Sequence, residues 1–119
     1  MSGIMQATLF RSAAPVPVTP QAWFGGGATP SLVSTVDRIT FATDTATASV
    51  RGPLSLARQY LAATGNTTNG WFGGGLQTSP FTYFSRVDRI TYATDTATAS
   101  VRGPLSGARN YLAAAGGIQ

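Results

Sequence analysis

Apolar and polar residues alternate along Val36–Arg51 in two short runs. In VDRITFAT (36–43), Asp37, Ile39 and Phe41 fall on one side, and Val36, Arg38 and Thr40 on the other. In TATASVR (45–51), Ala46, Ala48 and Val50 face one way, and Thr45, Thr47, Ser49 and Arg51 the other. Such alternation marks a half-buried strand. Asp44-Thr45 supplies a turn and Gly52-Pro53 a stop, so the two runs predict a β-hairpin. WFGGG (23–27) suits a strand, with glycines that let it end while other backbone packs closely. SLARQYLAATG (55–65) fits two patterns: a helix with Ser55 as N-cap and Gly65 just past its end, or a buried strand of small residues. Asn69-Gly70 is a hairpin turn signal, which argues for 57–64 pairing with 71–74 as strands.

The same pattern then recurs. Val36–Gly65 returns as Val87–Gly116 at a shift of 51, with four differences over 30 positions: Phe41/Tyr92, Leu56/Gly107, Gln59/Asn110 and Thr64/Ala115. WFGGG returns as Trp71–Gly75 at a shift of 48, so the variable loop grows from 28–35 to 76–86 and lies at a rim. The chain divides into an N-terminal arm with a Pro-rich linker (1–20) and two repeats (23–70 and 71–119) within 21–119. A repeat of about 50 residues is the signature of a propeller or solenoid.

Composition narrows the chemistry. The 119 residues include no Cys and no His, which removes disulfides, thiolate nucleophiles and the commonest general base and metal ligand. All eight cations are Arg and all four acids Asp, a net +4. Arginines placed identically in each repeat point to structural pairing, whereas a phosphate footprint clusters cations on one element, so no nucleic-acid partner is expected. No run approaches a membrane span of about 18 residues, and the start lacks the charged and apolar regions of a signal peptide. No constellation supports catalysis, and no cofactor or metal is expected. GxGxxG and GK[ST] are both absent, so WFGGG is not a phosphate loop.

The unit resembles a kelch-like β-propeller repeat. Gly25-Gly26, the loop 28–35, VDRITFATDTATASV, Arg51-Gly52-Pro53-Leu54, Arg58, YLAATG and Gly73-Gly74 follow the kelch order, without the usual Trp of the fourth strand. The repeats are also similar to those in structural proteins of marine tailed bacteriophages. These resemblances imply an all-β fold, a virion location and a non-enzymatic structural or adhesion role, docked on other virion proteins through the arm. The alternative is a carbohydrate-binding propeller lectin contacting surface glycan.

Blade geometry adds an expectation. A blade has four strands and closed propellers usually have four to eight blades, so two repeats cannot close a ring. Residues 108–116 would be an inner strand without its sheet, completing the first blade of a neighbouring chain. The ring-closing residues are then Arg109, Tyr111, Leu112 and Ala113 against Trp23, Phe24 and Gly25. Three chains giving six blades come first, four giving eight second.

Asp37, Arg38, Arg51, Arg58, Asp88, Arg89 and Arg102 recur in each unit and are read as Asp–Arg pairs and Arg-to-carbonyl bonds between blades; Arg109 shares this pattern. Trp23, Phe24, Trp71 and Phe72 are read as packing between blades, with Trp71 also a candidate glycan platform. Phe81, Tyr83 and Phe84 occur in one repeat only and are candidate contacts for a partner protein or glycan. Asn66-Thr67-Thr68 fits the N-glycosylation pattern and is read as loop chemistry.

Overall fold

In the computed structural model, which describes residues 20–117, the first repeat forms a three-stranded antiparallel sheet. Its strands β1 (Gln21–Gly25), β2 (Val36–Thr40) and β3 (Ser49–Arg51) lie in that order. A four-stranded antiparallel sheet joins β4 (Ala62–Gly65), from the end of the first repeat, to β5 (Asn69–Gly73), β8 (Val87–Thr91) and β9 (Ser100–Arg102), again in chain order. Between β5 and β8 a separate hairpin, β6 (Leu76–Thr78) with β7 (Phe81–Tyr83), occupies the longer variable loop. The fold is all-β, and none of its sheets closes on itself. The N-terminal arm lies outside the described residues, apart from Pro20.

The repeats fold alike because the same residues make the same bonds. Trp23 pairs with Arg38 across β1–β2, and Trp71 with Arg89 across β5–β8. The Gly27 amide donates to the Arg58 carbonyl at 2.9 Å, and the Gly75 amide to the Arg109 carbonyl at 2.9 Å. These bonds need the strand to end in a left-handed step: Gly74 has φ +74, and a Cβ there would meet the Arg109 carbonyl oxygen at 2.8 Å.

Three expectations need correction. Residues 55–65 form no helix: strand β4 starts only at Ala62 and pairs with Gly70–Gly73, shorter and differently bounded than 57–64 against 71–74. Asn69-Gly70 is not the turn. Asn66 turns the chain, its Oδ1 accepting the Thr68 and Asn69 amides at 2.9 and 2.8 Å, which frees Asn69 to begin β5. The run 45–51 is strand only from Ser49, since Phe41–Thr43 forms a single 3-10 turn and the Ala46 amide bonds the Thr43 carbonyl. Val50 and Val101 are exposed, as are Ala46 and Ala97, and of the apolar positions in this run and its copy Ala99 alone is buried.

The core sits between the sheets. Val36 and Leu54 from the first repeat meet Phe72, Ile90 and Ala99 from the second, with Trp23, Leu61 and Tyr92 around them. Each large apolar side chain so buried contributes about 1.5–3 kcal/mol. Most of the apolar stabilisation is therefore gained by apposing repeats, since one sheet alone buries little.

Candidate functional site

Two polar clusters flank this core, and each joins residues of one repeat to an aspartate of the other. At the first, Asp88 on β8 accepts hydrogen bonds from the Ser55 amide (2.9 Å) and hydroxyl (2.7 Å), and from Arg58 Nη1 at 3.2 Å. The rest of the Arg58 guanidinium donates to the Gly74 and Phe72 carbonyls at 2.7 and 3.2 Å. Asp88 and Arg58 are both fully buried. Burial lowers the Arg58 pKa and the Asp88 carboxylate opposes that shift. The pair is an internal strut: every side-chain hydrogen bond that it makes reaches across the junction, except one to the Leu56 carbonyl.

The second cluster centres on Asp95, at the end of the 3-10 turn Tyr92–Thr94. Its Oδ2 accepts from the Trp23 indole at 2.9 Å and Arg38 Nη1 at 3.0 Å, and its Oδ1 from Arg51 Nε and Nη2 at 3.0 and 2.7 Å. Backbone closes the same seam: the Gly52 amide donates to the Asp95 carbonyl (2.8 Å) and the Ala99 amide to the Pro53 carbonyl (2.9 Å). Beside it the Trp23 and Tyr92 rings stack at 4.1 Å. Here the sequence reading missed the central residue. Asp95 occupies the position equivalent to the turn residue Asp44, and its partners lie 44 to 72 positions away.

Burial alone would raise the Asp95 pKa, but the hydrogen bonds from Arg51 and Trp23 and the charges of Arg51 and Arg38 outweigh it and hold the carboxyl below its ordinary value. A depressed folded pKa means that the unfolded chain binds more protons on acidification, so stability is full above the ordinary carboxylate value and lost as pH falls through the folded one. The melting temperature should be flat above about pH 5 and decline below about pH 4. Asp95→Asn should flatten most of that acid decline, as read in melts across a pH series.

The counterparts of these residues are placed quite differently. Phe72 is 3% exposed, and its equivalent Phe24 is 60% exposed. Arg109, the equivalent of Arg58, is exposed and bonds only the Gly107 carbonyl, at 3.4 Å, with its side chain. Asp44, the equivalent of Asp95, is exposed, and among the described residues neither it nor Asp37 forms an ion pair. Residues 112–117 carry no strand, and the outer edge of β1 has no partner among the described residues. Trp71, Val87, Leu105, Arg109 and Leu112 line an open groove of about 220 Å³. Their equivalents, Trp23, Val36, Leu54, Arg58 and Leu61, are the residues on which the second repeat packs.

The other candidates lie apart from the junction. Phe81 and Tyr83 are exposed on the β6–β7 hairpin, their rings edge-to-face at 5.4 Å, with Phe84 half-buried beside them. The Tyr60 and Tyr111 rings lie tilted by 30° with centroids 4.1 Å apart, and the Tyr111 amide donates to the Tyr60 carbonyl at 2.9 Å. Among the described residues no group of acidic residues is arranged to hold a metal, and no helix is long and apolar enough to cross a membrane. Neither family models nor curated proteins give a match to the chain.

Proposed function

We propose that the chain is a non-enzymatic building block: several copies assemble into a closed β-propeller that serves as a structural or adhesion component of a phage particle. The assembly reading is supported by one observation above all. Near-identical residues are buried where the repeats meet and exposed at the two far faces, as the contrast between Phe72 and Phe24 shows. A second copy would bring Phe24 to the groove lined by Trp71, Val87, Leu105 and Leu112, as Phe72 packs against Val36 and Leu54. It would also give residues 113–116 a sheet to join. Carrying over the β4–β5 register places Ala113 opposite Gly25 and Ala114 opposite Phe24 of that copy. Six blades from three copies is the first expectation and eight from four the second. The virion role rests on the likeness of the repeats to those of phage structural proteins. Docking on other virion proteins would use the N-terminal arm and the exposed Phe81–Tyr83 pair. In such a ring Trp71 is covered, so a lectin reading would have to rely on Phe81 and Tyr83 for its aromatic platform.

Native mass spectrometry tests the assembly. The chain should give one discrete oligomer of three or four copies, and deletion of residues 106–119 should reduce it to monomer or aggregate. A stable monomer of the intact chain, or an unchanged oligomer after the deletion, would refute the shared ring.

A further inference from the structure

Both carboxylate clusters at the junction take their donors from the first repeat and their acceptor from the second. Shifting each residue by its repeat offset gives a second set of partners, divided between the opposite faces of this same chain. The acceptors, Asp37 and Asp44, belong to the first repeat. The donors, Trp71, Arg89, Arg102, Ser106 and Arg109, belong to the second. The first face therefore presents two carboxylates and the second three guanidinium groups. Within one chain the two sets are far from pairing: Asp44, Arg102, Ser106 and Arg109 are all exposed, and no ion pair joins any of them among the described residues.

Two further details fit the same occupant. Gly52 is buried because its Cα lies against the Ala97 backbone of the second repeat, whereas a Cβ on Gly103 meets nothing within 4 Å. A glycine thus stands at 103 where this chain alone leaves room for a side chain. Phe41 stands half exposed where Tyr92 stacks on Trp23, so an aromatic is available to cover Trp71 in the same way.

The geometry points to Asp44 and Asp37 as two sockets for another copy of this chain. Asp44 receives the Trp71 indole, Arg89 and Arg102 of that copy, and Asp37 receives its Ser106 and Arg109. The assignment rests on the ring reading and adds its polar specificity: strand addition and apolar packing favour any β-edge, whereas the sockets admit only a face with three arginines at these spacings. Oppositely charged faces also speed encounter and fix register.

The test is a double-mutant cycle read as the dissociation constant of the oligomer, from light scattering over a dilution series. Asp44→Ala and Arg102→Ala should each raise it about 100-fold or more, the usual size for losing one partner of a covered charge pair. The double variant should be little worse than the worse single one, since the shared interaction is lost once. Gly103→Ala should also dissociate the oligomer while leaving the melting of the isolated chain unchanged, which separates loss of assembly from loss of folding. A wild-type chain that is monomeric at all concentrations overturns the ring and the sockets with it. An intact oligomer whose dissociation is unmoved by Asp44→Ala, or strictly additive effects in the cycle, overturns the sockets and leaves the ring standing.

Discussion

Asp88→Ala should cost about 3–5 kcal/mol of folding stability, the range for removing one partner of a fully buried ion pair. The loss has two parts. Arg58 would stay between the sheets, still bonded to the Gly74 and Phe72 carbonyls, but with its charge uncompensated. The Ser55 amide and hydroxyl would lose their acceptor at the same time. Since small domains are stable by about 5–15 kcal/mol, that loss removes between about a fifth and all of the margin. Urea melts at fixed protein concentration would show it as a lower midpoint with an unchanged slope. Replacing both Asp88 and Arg58 by apolar residues of similar size should be milder than either single truncation. A single substitution costing under about 1 kcal/mol would mean that the strut does not hold the repeats together.

Gly52→Ala is the second large effect, and it acts through shape alone. A Cβ at this position would fall well inside contact distance of the Ala97 carbonyl, a backbone group that cannot rotate away. The Gly52 amide already bonds the Asp95 carbonyl across the same seam, so relief requires the sheets to separate and that bond to stretch. Overpacking of this kind costs about 3 kcal/mol. The expected readout is a lower melting temperature together with increased Trp23 fluorescence change at mild denaturant, as the ring leaves Tyr92. A melting temperature within a degree or two of wild type would show that the junction is slack enough to admit a methyl group.

The repeat itself was legible in the sequence, as was a strand within 36–43 and its copy, because an alternating pattern and a fixed offset survive without tertiary context. The strand stops at Thr40, where Phe41–Thr43 forms a 3-10 turn instead of extending it. The fate of 55–65 was less so. Its small residues satisfy helix and strand patterns alike, and the choice was made by Trp71 and Phe72, whose strand offers Ala62–Gly65 a ladder. The strand over 45–51 is shorter than its alternation suggests for a related reason. In the second repeat this stretch turns back so that Asp95 reaches Trp23, Arg38 and Arg51, a use no local pattern reveals. Hardest to see was the asymmetry between equivalents. Asp44 and Asp95 lie in the same local sequence, TDTATAS, yet one is exposed and the other buried among three donors. What separates them is the presence of a neighbouring repeat, and a periodic sequence carries no record of which of its copies has one.

The β6–β7 hairpin breaks that periodicity, and it does so once per chain. A ligand gripping features common to both repeats would count two equivalent positions on each chain, whereas one gripping Phe81 and Tyr83 would count one. The stoichiometry of any captured partner therefore reports which surface it reads. A partner with several arms spaced for one count would gain avidity there and find the other spacing out of reach.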